Sequence, residues 1–236
     1  MIDQLPEHIQ TLFLDMNGTF MFGHDRFGED EDFYPAYLSQ GGSDMASDFL
    51  NASVRKVVAR LAELYRAGSH DHDFPQVVDI AAEILPGEGC AEDIARVERI
   101  IAAHEIGAVS DRDAVTLAAL SKGFTLFVVS NLWSRGTPWR EHFATRLDAS
   151  PFSGLVFSSD IAVNKPSPEI FEHTLRLAGT DAGNVAMVGD DLARDIRPAA
   201  ALGMTTIWVS DAAADYSVAD HVIAEFHQLY STRSTL

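Results

Sequence analysis

An α/β architecture, a Rossmann-like doubly wound parallel sheet with an inserted helical region, follows from three features of the 236-residue sequence. Short apolar runs recur, and each ends in polar residues. Helical patterns lie between those runs. One long stretch after the first run carries helical patterns alone.

The apolar runs are "TLFLDMN" (11–17), "FTLFVVSN" (124–131), "GLVFSSD" (154–160), "NVAMVGDD" (184–191) and "MTTIWVS" (204–210). Each has the length of a strand, is rich in Val, Phe, Leu or Thr, and is apolar on both alternations. A parallel strand covered on both faces has this pattern. Three helices are expected between or after them. "SDRDAVTLAAL" has Ser110 as N-cap, with Asp113 three residues on. "SPEIFEHTLRLAG" has Ser167 as N-cap, Pro168 at the first helical position and Gly179 as the stop. "DLARDIRPAAALGM" contains Pro198, which predicts a kink or a late helix start.

Residues 20–108 break the alternation and read as an insert of helices between a core formed by 1–19 and 109–236. "SDFLNASVRKVVARLAELYRAG", "FPQVVDIAAEILPG" and "AEDIARVERIIAAH" each repeat apolar residues at helical spacing. Val57, Val58, Leu61, Leu64 and Tyr65 form one stripe; Val77, Val78, Ala81, Ile84 and Leu85 form another. Such stripes face a small bundle core. The acidic run "GEDEDF" (28–33) reads as a solvated loop.

The formal net charge of −18 argues against nucleic acid and anionic membrane as partners, since both need basic surface. Any anionic substrate needs a cation or a local positive cluster at its site. Cys90 is the single cysteine, so no intrachain disulfide can form. The N-terminal "MIDQLPEHIQ" has no apolar signal core, and no run approaches the ~18 apolar residues of a membrane span. A cytoplasmic protein is expected. Monomer and homodimer are both left open.

In open α/β sheets, ligands bind beyond the carboxyl ends of the strands. There the first strand delivers Asp15 and Asn17, and the second Ser130 and Asn131. Lys165 comes shortly after the third, and the fourth delivers Asp190 and Asp191, with Asp195 one helical turn on. Carboxylates crowded in this way call for a hard cation, and oxygen ligands suit Mg²⁺.

The motifs "LDMNGT", "VVSN", "NKPSPEIF" and "VGDDLARD", with "ALGM" behind the last, span almost the whole chain in that order. In this combination the sequence resembles the haloacid-dehalogenase superfamily of hydrolases, of the kind that forms a phosphoaspartate. The resemblance makes the helical insert a small cap and Asp15 the nucleophile. Mg²⁺ would then lie between Asp15, Asp190 and the main-chain carbonyl of Asn17. Asp191 and Asp195 would serve as outer ligand or orienting group. Ser130, the Asn131 amide and Thr19 would hold phosphoryl oxygens, and Lys165 would neutralise the nucleophile and the transferring group. The implied activity is Mg²⁺-dependent hydrolysis of a small phosphorylated metabolite through an aspartyl phosphate.

Asn17 departs from the pattern. The resemblance leads one to expect Asp there, to protonate the leaving group and then deprotonate water. An amide does not titrate, and such help is typically worth ~10²–10⁴-fold. A handicapped hydrolase that prefers good leaving groups is therefore expected, unless His24 or Asp25, in the turn just after, supplies the proton. Asn17–Gly18 is also a deamidation-prone pair whose conversion would restore Asp. The competing reading is a phosphate-binding regulatory protein without turnover. A phosphonatase would need Lys56, the sole lysine of the insert, as its amine. A mutase would want the missing acid, and a metal-free dehalogenase sits poorly with "GDD".

Several further residues carry expectations. Trp133 and Trp139 are candidates for the substrate mouth, and Arg26 and Arg55 for a second substrate anion. His70 and His72 in "SHDHD" read as a solvated loop rather than a metal site.

Overall fold

The computed structural model describes residues 5–85, 91–147, 150–211 and 218–230; Cys90 lies outside them. Six strands form one sheet: β1 (Thr11–Leu14), β4 (Thr125–Ser130), β5 (Gly154–Phe157), β6 (Val185–Gly189), β7 (Thr205–Val209) and β8 (His221–Ile223). Their order is β5-β4-β1-β6-β7-β8, and every neighbouring pair is parallel. The five apolar runs all become strands. Each strand stops before the polar tail of its run except β4, which takes in Ser130, and the remaining tail turns out of the sheet. β8 has only three residues and no run of its own in the sequence pattern.

Alternation within the central strands divides the core in two. Leu12, Leu14, Leu126, Val128, Ala186 and Val188 face one side, against Leu117, Leu120, Trp139 and Phe143. Those four come from α5 (Asp111–Leu120) and α6 (Thr137–Arg146). Phe13, Phe127, Val129, Val185 and Met187 face the other side, against Ile170, Phe171 and Ala199. Those belong to α8 (Pro168–Ala178) and α9 (Arg197–Ala201). Burial of one such Leu or Phe side chain is worth ~1.5–3 kcal/mol, so this two-sided covering fixes strand register firmly.

Local signals act as expected. The Ser110 side chain accepts from the Asp113 amide. That of Ser167 accepts from Glu169, with Pro168 in the first turn and Gly179 left-handed at the end. Pro198 does delay a helix: Leu192–Ile196 forms a wide π-type turn, and α9 begins only at Arg197.

The helical layer contains α1 (Tyr34–Ser39), α2 (Ser47–Ala67), α3 (Val77–Ile84) and α4 (Ala91–Glu105). Val57, Leu61, Leu64, Val77, Ala81 and Leu85 are buried in its core, with Val58, Tyr65 and Ile84 packed at the edge. α1 was not legible in the pattern, and neither was the antiparallel pair β2 (Met21–Phe22) and β3 (Ala108–Val109), where the chain leaves and rejoins the sheet. A short α7 (Ser158–Ile161) follows β5. Among the described residues, no helix is long and apolar enough to cross a membrane.

Arg26 and Arg55 are not free for a substrate anion. Arg26 donates to the carbonyls of Gly23, Ala103 and Ile106 at 2.9, 2.5 and 2.7 Å, tying the end of α4 to the outgoing strand. Arg55 donates to Glu29 and Glu31 carbonyls and lies over Phe33. Lys56 is exposed on α2. His70 pairs with Asp73, and His72 lies against Ser167 and Glu169, as a surface loop would.

Candidate active site

The strand order reverses about β1, which lies between β4 and β6. Crevices at such a switch point open beyond the carboxyl ends. Asp15 follows β1, Ser130 ends β4, and Asp190 follows β6. The Asp15 amide donates to the Val188 carbonyl at 2.8 Å, so the last ladder bond sets the angle at which its carboxylate leaves the sheet.

Lys165 is 3% exposed. Its Nζ donates to Asp15 Oδ1 at 2.5 Å and to Asp195 Oδ1 at 2.7 Å. Ser130 Oγ donates to Asp15 Oδ1 at 3.3 Å. Thr19 Oγ1 stands 3.2 Å from both Asp15 Oδ2 and Asp190 Oδ1, so its one proton serves either. Gly18 is required beneath this cluster: its φ is +83°, and a Cβ would lie 2.4 Å from Asp190 Oδ2. Trp208 Nε1 donates to the Asp190 carbonyl at 2.9 Å and fixes that backbone.

Burial alone would lower the pKa of Lys165; the pull of Asp15 and Asp195 outweighs it and raises it. Asp190 faces the open side of the cluster, yet enclosure by its surroundings, followed by the Asp15 charge, pushes its carboxyl up to about 7. Carboxylate oxygens of Asp15, Asp190 and Asp195 lie within 4.8 Å of one another. Three carboxylates against one lysine leave an excess of about two negative charges when all are ionised. A divalent cation fits both that excess and the all-oxygen donor set.

Asp191 does not join this group. Its side chain is exposed, and Oδ1 accepts from the amides of Ala193 and Arg194 at 2.7 and 3.0 Å, the geometry of an N-cap. The buried member of the pair is Asp195. Asn131 turns its side chain to Lys165: Oδ1 accepts from the Lys165 amide at 2.8 Å, and Nδ2 donates to the Lys165 carbonyl at 2.9 Å. The second motif thereby holds the backbone of the third. Asn17 lines the cavity, and its Oδ1 is enclosed without a hydrogen-bond partner.

The cavity over the cluster has a volume of about 190 Å³. Sequence patterns had not marked Tyr65, Glu105, Asn164 and Arg194 as part of its lining. Arg194 lies 3.8 Å from the Tyr65 ring centre and donates to the Lys165 and Tyr65 carbonyls. Glu105 accepts from the amides of Trp133 and Ser134 and from Ser134 Oγ at 2.6, 3.0 and 2.5 Å. Burial raises its carboxyl to about 7 against the pull of those three bonds. One signal was present: an acid in the last turn of a helix opposes the helix dipole and needs a reason. Trp133 lines the cavity, whereas Trp139 is fully buried beside Phe157 and takes no part.

A family model described as haloacid dehalogenase-like hydrolase matches residues 9–203. The chain belongs to that family. Over 101 residues this haloacid dehalogenase-like hydrolase is 30% identical to a phosphoserine phosphatase of Thermus thermophilus, covering 42% of this chain and 39% of the relative. Over 64 residues it is 42% identical to a glyceraldehyde 3-phosphate phosphatase of Pyrococcus abyssi, 27% of each chain. The matched stretch thus spans less than half of either relative. In structure it is similar to a 2-haloacid dehalogenase from Pseudomonas syringae pv. Tomato DC3000, with a TM-score of 0.67 over 94% of this chain and 96% of that one. At 20% identity, that likeness is one of fold.

Proposed function

We propose that this hydrolase is a phosphatase that cleaves a small phosphate monoester through an aspartyl phosphate on Asp15. The observation that carries this reading is the Lys165 bridge. A buried ammonium holds Asp15 Oδ1, so the carboxylate is oriented and left with Oδ2 to attack. Phosphoryl transfer needs positioning and charge stabilisation above all. Ser130 Oγ, Thr19 Oγ1 and the Asn131 amide are placed to take up phosphoryl oxygens. Lys165 offsets charge as the bond to phosphorus forms.

Mg²⁺ would be held by Asp15, Asp190 and the main-chain carbonyl of Asn17, with Asp195 behind them, and when bound it supplies charge neutralisation for the phosphoryl group. The excess negative charge of the cluster supports this over metal-free dehalogenation, in which no cation offsets it. The helical layer serves as a cap: Tyr65 and Glu105 close the cavity from its side and restrict it to a small substrate. Its occupant is a phosphorylated metabolite, and the formal net charge of −18 supports neither nucleic acid nor membrane as partner.

The test is a phosphate-release screen over small phosphate monoesters, run with Mg²⁺ and with chelator, on the wild type and Asp15→Ala. Release that needs both Mg²⁺ and Asp15 is expected. Undiminished release from Asp15→Ala would sink the reading. Asn17 favours one alternative, a phosphate-binding protein without turnover. Saturable phosphometabolite binding with no release from any monoester would establish that instead.

A further inference from the structure

The reaction proposed above leaves a proton unaccounted for. Asn17 lines the cavity together with Asp15, and its amide cannot donate and recover a proton. The geometry points to Asp25 as the residue that carries this proton, with His24 as its partner. This inference rests on the phosphatase reading and adds a catalytic residue to it.

Four observations converge on Asp25. It lines the same cavity as Asp15 and Asn17. Its backbone is left-handed, with φ of +55°, one of two non-glycine residues with positive φ among those described. A residue held in that region at a cavity wall is a candidate for function, since the strain persists only where the surroundings enforce it. They do so here: the Phe27 amide donates to the Asp25 carbonyl at 2.9 Å, and Arg26 grips the Gly23 carbonyl on the other side. Lastly, the carboxyl is 49% exposed and thus open to a ligand, while His24 Nε2 stands 3.8 Å from its Oδ2.

The surroundings also suit the task. Covering of half the side chain raises the Asp25 carboxyl, and the neighbouring imidazole draws it partly back. Glu105, brought in by α4, lines the same corner, and its carboxyl is raised in small part by the charge of Asp25. Across the cavity lie Asp15, Asp190, Lys165 and Arg194. A carboxyl group whose proton is held above its ordinary range is better matched to acid–base work near neutrality.

The steps balance. Asp15 Oδ2 forms a bond to phosphorus, the bond from phosphorus to the leaving oxygen breaks, and that oxygen takes the Asp25 proton. The Asp25 carboxylate then takes a proton from the water that attacks the same phosphorus. The Asp15–phosphorus bond breaks, inorganic phosphate departs, and both carboxyl groups return to their starting states.

The experiment compares wild type, Asp25→Asn, Asp25→Ser, Asn17→Asp and Asn17→Asp/Asp25→Asn. The substrates are glycerol 1-phosphate, whose alkoxide needs a proton, and 4-nitrophenyl phosphate, whose phenolate does not. In the single Asp25 variants, kcat on glycerol phosphate should fall ~10²-fold or more, and on the nitrophenyl ester several-fold at most. Asn17→Asp should restore glycerol phosphate turnover to Asp25→Asn, because an acid then stands at the vacant position. Equal losses on both esters in the Asp25 variants, or no recovery in the double variant, would overturn the assignment while leaving the phosphatase reading intact. Absence of Asp15-dependent turnover of either ester by the wild type would overturn both.

Discussion

Replacing Lys165 with methionine keeps the length and volume of the side chain and removes its charge. In the wild type, Nζ is the shared donor to Asp15 and Asp195, which are 6% and 1% exposed. Without it, two buried carboxylates face each other and Asp190 with no counter-charge. Breaking a buried ion pair by removing one partner costs about 3–5 kcal/mol. For a chain of this size each kcal/mol moves Tm by roughly 2–4 °C, so Lys165→Met should melt roughly 10 °C below wild type at pH 8. The deficit should shrink at pH 5. Burial pushes the Asp195 carboxyl up to about 7 even beside the lysine, so that member of the pair is neutral there and needs no counter-charge. Adding Asp195→Asn should recover part of the loss at pH 8. Denaturant or thermal unfolding of the three proteins at both pH values measures this. A single Lys165→Met variant as stable as wild type at pH 8 would refute the ionised, lysine-bridged cluster.

Further outcomes follow from the same geometry. Asp190 titrates at about 7, and its neutral form is a poor ligand, so the rise in Tm produced by Mg²⁺ should be large at pH 8 and weak at pH 5.5. An equal rise at both would remove Asp190 from the cation site. Glu105 has its folded pKa raised from 4.5 to about 7, so the folded state holds that proton where the unfolded chain has released it. Its contribution to stability therefore falls as pH rises from about 4.5 through 7, by roughly 3 kcal/mol. Urea unfolding of Glu105→Gln should show a correspondingly flatter profile. Gly18→Ala would place a Cβ 2.4 Å from Asp190 Oδ2 at a φ of +83°. That substitution should cost about 1–2 kcal/mol in backbone strain and abolish Mg²⁺-dependent phosphate release, as unfolding curves and the release assay would show.

Residues that carry their own local cause could be found in the sequence. Asp15 and Asp190 end apolar runs that must be covered on both faces, so a carboxylate there stands out against its neighbours. Ser167 and Gly179 mark helix ends through bonds to residues close in sequence. Tyr65, Glu105 and Arg194 lack such a context. Tyr65 reads as one more member of a core-facing stripe, and Glu105 and Arg194 as acid and base on a helix or turn; their roles come from partners far along the chain: Asn131, Ser134 and Lys165. Asp191 and Asp195 show the same limit within one motif. The sequence sets two acids near each other, but only the turn decides that one caps amides and the other meets the lysine. β2 and β3, two residues each, are too short to produce a periodic signal.

The Arg26 clasp also governs how the two layers can part. It stitches the outgoing and returning segments together, so the helical layer enters and leaves the sheet at one place. At the far rim two hydrogen bonds between peptide groups join the layers beside the side-chain contacts of Gln76 and His72. The Phe74 amide donates to the Ala162 carbonyl, and the Asn164 amide to that of Asp71. Main-chain catches are indifferent to which side chains flank them. Substitutions around that rim can therefore reshape what the cavity admits while these two main-chain bonds are kept.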